Sequence, residues 1–354
     1  MNKHIHDVET PALVIDEAIA RANIDAFQTH CDSRGLNVRP HIKTHKSIRF
    51  ARQQLDVGAI GITCQKISEA EVMADSGVSD LLITFNILGA TKLRRLGKLL
   101  KRVNRLTVTA DNATVIEGLS DSFTDPKNPL YVMVECDTGG GRCGVQTPEQ
   151  AVELARLIVQ HSGLQFAGLM TYPAIGGALL AADFMKETKS KLAMLRIECL
   201  IVSSGGTPDM WSADTEEVFT EYRIGTYIYN DRSLITGGIC EESNCAARVI
   251  ATVVSRPTPT RIIIDAGSKV LTSDLLGLKG YGLVVGQPDV EIVSLSEEHG
   301  TLQVDQRNSL RPGDQIEIIP NHVCVVSNMF DHAWLIDERG KYLPLPIDAR
   351  GCVL

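Results

Sequence analysis

The chain has no stretch approaching the roughly twenty consecutive apolar residues that a membrane span requires, so no membrane-spanning helix is expected. It also lacks a long run of lysine and arginine. Its formal net charge is −8, which argues against nucleic acid as a partner. Its nine cysteines are odd in number and irregularly spaced, unlike a disulfide framework. The first residues, "MNKHIHDVETPALVID", lack the apolar core of a signal peptide. No internal repeat and no low-complexity tract is evident. These absences together point to a soluble protein of a reducing compartment, the cytoplasm.

What is present is length and alternation. At 354 residues with 44% apolar side chains, the chain suits two domains, or one barrel with an appendage. Short apolar runs recur at 37–43, 59–65, 80–86, 105–111, 130–137, 164–173, 199–208 and 222–231. Amphipathic stretches such as "TKLRRLGKLLKRV" and "PEQAVELARLIVQHS" lie between them. Strands separated by helices run parallel, so eight such units predict an α/β fold with a (β/α)8 TIM-type barrel. A doubly wound open sheet is the alternative. After about residue 240 the texture becomes strand-rich, as in "ARVIATVVSRPTPTRIIIDAG", which predicts a mostly antiparallel β domain. The expected division is a barrel over 16–235 and a β domain over 236–354, joined by the strand-like segment within 1–15.

Four constellations carry chemistry. The first is "RPHIKTHK", residues 39–46, at the end of the first barrel strand, where a barrel places its active site. Lys43 at that end would point into the mouth, where burial and neighbouring cations depress an amine's pKa and suit it to form an imine. On that stretch alone a solvated lysine is the slightly simpler reading. The second is "SSGGTP", 203–208, where Ser204, Gly205, Gly206 and Thr207 form a small-residue turn able to approach an anion. Gly225, Thr226 and Tyr227 follow on the eighth strand, and barrels bind phosphate at these two places. A lysine opposite a phosphate cradle suggests pyridoxal phosphate (PLP), held through an imine.

The third constellation, "DTGGGRCGV" at 137–145, offers Arg142 to the cofactor's phenolate oxygen, a weak signal by itself. The fourth is "PNHVC", in which His322 and Cys324 stand two apart. On a strand that spacing puts imidazole and thiolate on one face, where they can share a divalent ion. Two protein ligands leave open positions, as a catalytic site needs. The thiolate favours zinc over magnesium.

These residues resemble fold-type III PLP enzymes related to alanine racemase, and within them the D-threonine aldolase and D-serine dehydratase family. The likeness runs from "TPALVID" to "HVCVVSN" and includes "GITCQKISEAEVM", "YRIGTY" and "EEHG". It implies an alanine racemase-like barrel with Lys43 as the cofactor lysine. Ser204 to Thr207, Gly225, Thr226 and Tyr227 would hold the phosphate, and Arg142 would stand near the phenolate. Arg223, two before Gly225, matches the racemase arginine that faces the pyridine nitrogen. Tyr172 and His41 would line the cofactor, with Arg39, His45 and Lys46 adding positive potential. His322 and Cys324 match the metal pair, for zinc, with manganese and magnesium as alternatives.

The implied partner is a small β-hydroxy-D-amino acid, and the implied assembly a homodimer. Dehydratases of this family resemble the H-x-C arrangement and aldolases H-x-D. The segment "TYPAIGG" also lacks the histidine that aldolases tend to carry after the tyrosine. The first reading is therefore β-elimination of water from a D-serine-like substrate, giving ammonia and a keto acid. The alternative is retro-aldol cleavage of a D-threonine-like substrate to glycine and an aldehyde, and a racemase comes after both. Glu298 and His299 are candidates for the site or for a plain turn. Asp265 and Lys269 read as an ion pair or an interface. His4, His6 and His30 read as solvated, and so does Lys46 when taken alone. Cys31, Cys136, Cys199, Cys240 and Cys245 read as buried small apolar residues.

Overall fold

A computed structural model describes residues 8–213 and 217–354, so His4 and His6 lie outside the described residues. The chain divides into two compact units. One comprises Ala26–Lys43, Ile48–Gly225 and Cys352–Leu354, and the other 8–25, Thr44–Ser47 and Thr226–Gly351. No helix among the described residues is long and apolar enough to cross a membrane.

The chain opens with strand β1 (Ala12–Asp16) and helix α1 (Glu17–Asp32). Eight strands follow: β2 (Asn37–Val38), β3 (Ile62–Cys64), β4 (Asp80–Ile83), β5 (Arg105–Ala110), β6 (Leu130–Cys136), β7 (Leu164–Thr171), β8 (Ile201–Gly205) and β9 (Glu221–Arg223). Helices α2 (Ile48–Asp56), α3 (Ile67–Asp75), α4 (Ala90–Leu100), α5 (Ala113–Ser122), α6 (Pro148–Val159) and α7 (Ala178–Met194) separate them. All seven pairings are parallel, in the order β2-β9-β8-β7-β6-β5-β4-β3. This is the expected (β/α)8 barrel, and the expected second, mostly antiparallel sheet accompanies it.

The first and eighth strands are shorter than the apolar runs suggested. Pro40 has no N–H to give a ladder, so β2 stops at Val38. Single backbone bonds then stitch the segment onward, from Ile60 N to Val38 O at 3.0 Å, Thr63 N to Pro40 O at 2.7 Å and Ile42 N to Thr63 O at 3.0 Å. These bonds join the β2 and β3 ends of the sheet. Lys43 accordingly stands in the turn just past the His41–Thr63 bridge rather than on a strand. The eighth strand ends at Arg223, and Thr226–Ile228 form a 3-10 turn instead of extended chain.

The helices follow their caps. Thr147 accepts from Gln150 N, Gln150 answers from the N3 position, and Pro148 opens α6. Asn112 caps α5 in the same way.

The second unit is built on a nine-stranded sheet. Its strands are β1, β10 (Ala247–Thr258), β11 (Arg261–Ile264), β12 (Leu283–Val284), β13 (Glu291–Leu295), β14 (Gly300–Gln303), β15 (Gln315–Ile319), β16 (His332–Ile336) and β17 (Tyr342–Pro346). As the sequence suggested, β1 pairs with the later strands, antiparallel to β10 and parallel to β16. Three short helices complete it: α8 (Arg232–Thr236), α9 (Ser268–Leu271) and α10 (Val323–Met329).

Inside the barrel unit a chain of charge replaces part of the apolar filling. Arg39 donates to Asp80 Oδ1 at 2.7 Å and to Glu221 Oε2 at 2.8 Å. Asp80 and Glu221 are the first residues of β4 and β9, so Arg39 lies toward the end opposite the mouth and cannot serve a cofactor phosphate. Burial opposes its charge, but the two carboxylates outweigh burial and hold its pKa above the ordinary arginine value. Burial likewise pushes the Glu221 carboxyl up, and Arg39 with Ser203 outweighs this and holds it below the ordinary value. Arg39→Ala is expected to cost about 3–5 kcal/mol in urea unfolding, because it strands buried anions. A loss within the roughly 0–1 kcal/mol of a surface pair would contradict this. Since the folded-state pKa of Glu221 is depressed, its contribution is present above the unfolded-state value and lost as pH falls through the folded one. Glu221→Gln should flatten that acid limb.

Candidate active site

The barrel unit gathers Lys43, His41, Arg142, Tyr172, Ser204, Gly205, Gly206, Thr207, Arg223 and Gly225 at or just beyond its strands' C-terminal ends. Lys43 is half-buried in the turn after His41. Its backbone N–H donates to His41 Nδ1 at 3.2 Å. The other lysines nearby are occupied. Lys66 Nζ lies 3.7 Å over the Phe85 ring. Lys46, expected to be solvated, is only 5% exposed, and its Nζ donates to Ala349 O at 3.4 Å.

At the end of β8 the backbone turns sharply. Gly206 N donates to Arg223 O at 3.1 Å, and Tyr222 donates its hydroxyl to Gly206 O at 2.7 Å. With that carbonyl fixed, the planar peptide aims the Thr207 N–H the opposite way. Thr207 opens the 3-10 helix Thr207–Ser212, whose first N–H groups have no partner within the helix. A Cβ at Gly205 would lie 2.5 Å from Arg223 O, so only glycine permits this approach of β8 and β9. Small residues, two buried hydroxyls on Ser204 and Thr207, and an outward amide suit a phosphate.

Arg142 sits on an exposed loop whose shape is nonetheless fixed. Asp137 Oδ1 accepts from Gly139 N at 3.0 Å and Gly141 N at 3.1 Å. Asp111 Oδ2 accepts from Gly144 N at 2.9 Å. Gly144 has φ +121°, and a Cβ there would meet Asp137 N at 2.3 Å. The guanidinium carbon of Arg142 stands 5.3 Å from the Tyr172 ring centre. Deeper in the unit, Arg223 is buried; its Nε donates to Ser203 Oγ at 2.9 Å and its Nη2 to Thr171 O. Glu135 on β6 was not singled out from sequence, although a lone carboxylate in the run "LYVMVEC" was the available signal. Burial lifts its pKa above the ordinary value, with Arg223 and then Arg142 pulling it partly back.

The second unit holds the rest. His322 and Cys324 are not on a strand: β15 ends before Pro320, His322 is the extended N-cap of α10, and Cys324 is the second helical residue. The β-branched run "HVCVV" reads as a strand but is overridden by tertiary context. The side chains still meet. Burial would lower the His322 pKa, but the hydrogen bonds its ring donates to Asp231 and Cys324 outweigh it and raise it to about 10. Asp231 was missed in the sequence. It is fully buried, and its Oδ2 lies 3.2 Å from His322 Nδ1 and accepts from Val323 N at 3.1 Å. Its Oδ1 caps α8 through Leu234 N at 3.3 Å.

With the His322 ring oriented through Nδ1 by a carboxylate, Nε2, once it gives up its proton, and the Cys324 sulfur form a donor pair for a divalent cation. Thr44 Oγ1 at 3.0 Å and Thr226 Oγ1 at 3.5 Å flank that sulfur. Thr226 and the buried Tyr227, expected with the phosphate loop, belong to this unit.

The remaining candidates make contacts of their own. Glu298 pairs with Lys269 at 2.6 Å in an exposed turn beside His299. Asp265 bonds Thr10 and Thr252 rather than Lys269. His30 is not solvated; it stacks on Phe27 and meets Trp211 edge-on. Cys31, Cys136, Cys199 and Cys245 are buried, while Cys240 is half-buried.

A parallel barrel with a lysine beyond its first strand, accompanied by a mostly antiparallel β unit, defines an alanine racemase-type two-domain chain. The model "Alanine racemase, N-terminal domain" matches residues 15–233, and "Putative serine dehydratase domain" matches 246–336. The D-threonine aldolase of Arthrobacter sp is 32% identical, over 97% of this chain and 93% of its own. The crystal structure of D-threonine aldolase from Filomicrobium marinum superposes with a TM-score of 0.91 at 32% identity, covering 100% of this chain and 99% of that one. D-threo-3-hydroxyaspartate dehydratase from Delftia sp. HT23 gives 0.90 at 25% identity, covering 97% and 98%. The chain belongs to the D-threonine aldolase and D-serine dehydratase family of alanine racemase-fold enzymes.

Asp231→Ala is expected to weaken zinc binding about 10–100-fold, as loss of a partner behind a metal-binding histidine does. Competition against a chromophoric chelator measures this, and unchanged affinity would remove Asp231 from that role.

Proposed function

We propose that this protein is a PLP- and divalent-metal-dependent lyase that eliminates water from a D-serine-like β-hydroxy-D-amino acid, releasing ammonia and a keto acid. The observation that carries the reading is the His322–Cys324 pair backed by buried Asp231. The Delftia dehydratase lends support. It has been solved as a histidine-to-alanine variant and as a cysteine-to-alanine variant at positions two apart, the latter in a metal-free form. That is the spacing of His322 and Cys324.

PLP would be held within 16–235 and the cation within 236–354. PLP, when bound, supplies an electron sink for the carbanion at Cα. The cation, held by His322 and Cys324, supplies Lewis acidity toward a β-hydroxyl. Zinc suits the thiolate best, with manganese and magnesium as alternatives. Lys43 binds the cofactor and moves the Cα proton. Ser204, Gly205, Gly206 and Thr207, with Gly225, Thr226 and Tyr227, would hold the phosphate. Arg142 would face the phenolate oxygen and Arg223 the pyridine nitrogen, with Tyr172 and His41 lining the ring. The family resemblance adds a homodimer, and the composition a cytoplasmic location.

Retro-aldol cleavage is the second reading, favoured by the 32% identity to an aldolase along nearly the whole chain. Racemisation finds its best support in Arg223, with "GYG" at 280–282 as an echo of a racemase loop, and leaves the metal pair without a purpose.

Purified enzyme should release ammonia and a keto acid from D-serine, and chelation should abolish this until zinc is restored. Glycine and acetaldehyde from D-threonine, without ammonia from any substrate including 3-hydroxy-D-aspartate, would sink the elimination reading in favour of the aldolase. Borohydride should lock the cofactor onto Lys43, and Lys43→Ala should abolish the adduct and lower kcat by at least about 10²–10⁴-fold. A label on Lys46 or Lys66 would refute the assignment.

A further inference from the structure

The segment "GITCQKISEAEVM" contributes no residue to the proposed chemistry, yet it ends β3 beside the Lys43 turn. Gln65 is the first residue past that strand. Its backbone N–H donates to Glu69 Oε2 at 2.7 Å. The same oxygen takes Lys66 N at 3.2 Å and closes the start of α3. Glu69 itself is buried. The Gln65 backbone is therefore fixed before its side chain makes any contact.

The side chain makes two contacts that together determine a protonation state. Gln65 Nε2 donates to Thr84 O at 2.8 Å. A carbonyl oxygen can only accept, so the orientation of the amide follows, and Oε1 is the atom that faces His41 Nε2, at 3.1 Å. That oxygen can only accept, so His41 Nε2 carries a hydrogen. The other ring nitrogen, Nδ1, receives the Lys43 N–H at 3.2 Å, and a backbone N–H can only donate, so Nδ1 is bare. Both ends of the ring independently require the same neutral tautomer.

We propose that Gln65 is a positioning residue for Lys43: it holds His41 as the neutral Nε2–H tautomer, whose Nδ1 fixes the turn from which the Lys43 side chain departs. This rests on the reading of Lys43 as the cofactor lysine. The residue type matters. A carboxylate at position 65 would favour a charged imidazolium, which places a hydrogen on Nδ1 against the Lys43 N–H and a second cation beside the amine. An amide accepts from Nε2 without imposing that charge.

The test uses holoenzyme labelled with 15N in its histidine rings, the His41 signals being assigned by their loss in His41→Asn. Wild type should show one protonated and one bare ring nitrogen with the hydrogen on Nε2. Gln65→Glu should protonate both. Gln65→Met, similar in shape but without the amide, should lose the tautomer preference. Both variants should shift the visible absorbance of the bound cofactor and release it about tenfold faster, the cost of one hydrogen bond. Wild-type His41 found as Nδ1–H or as imidazolium overturns the proposal, whatever the variants do. So do variants that keep the wild-type tautomer and cofactor retention. An enzyme that holds cofactor on Lys43 while failing these tests loses only the role of Gln65. A wild-type protein that never takes up cofactor loses the lyase reading and the positioning role with it.

Discussion

The contact of Arg39 with Asp80 and Glu221 sets the interior of the barrel. From Glu221 the chain of polar contacts continues, since Ser203 donates to Glu221 Oε1 at 2.7 Å and Arg223 Nε donates to Ser203 Oγ. Each group takes its orientation from the one before, and the last is the guanidinium proposed above for the cofactor's ring nitrogen. Buried ions are costly and tolerate little displacement once paired. The position of Arg223 is thus dictated from the far end of the strands, and Gly205 keeps β8 and β9 close enough for the chain to close. A barrel filled with aliphatic side chains alone would pack as well but would leave that cation without a fixed address.

Much of the fold was legible because its signals are local. The alternation of apolar runs and amphipathic helices needs only a window of a dozen residues, and caps such as Thr147 and Asn112 lie within four residues of what they bind. What escaped depends on partners distant in the chain. Asp231 is an ordinary helix cap until His322, 91 residues later, comes to lie against it. Lys46 looks solvated until Ala349 supplies a carbonyl. The helix at 323–329 was hidden by β-branched residues that favour strands in isolation. The candidate site was legible in its lysine, its small-residue loop and its H-x-C pair, since those residue types are rare in such spacings. The groups that orient them were not, because glutamine, aspartate and serine are common everywhere.

The five basic residues of "RPHIKTHK" fare differently once folded. Arg39 is neutralised by two carboxylates. His41 is bonded on both ring nitrogens. His45 is buried, its Nδ1 accepting from Ser47 N at 3.1 Å, and Lys46 binds a backbone carbonyl. Lys43 alone of the three lysines 43, 46 and 66 is assigned neither to a carbonyl nor to an aromatic face. A motif that reads as a concentration of charge works by disposing of most of it.

The placement of Thr44–Ser47 has a practical bearing. These four residues interrupt the barrel's sequence but count with the β unit, where Thr44 meets Cys324 and the backbone carbonyl of Lys46 receives the Ala349 N–H at 2.9 Å. All four are buried. No single cut in the gene therefore separates the two units cleanly. A fragment ending near residue 235 would keep Tyr229 against His45 but carry this tetrapeptide away from Cys324 and Ala349, and the complementary fragment would lack a piece of its own interior. The two units are domains by shape but not by inheritance, and grafting a foreign barrel onto this β unit would require transplanting residues 44–47 along with it.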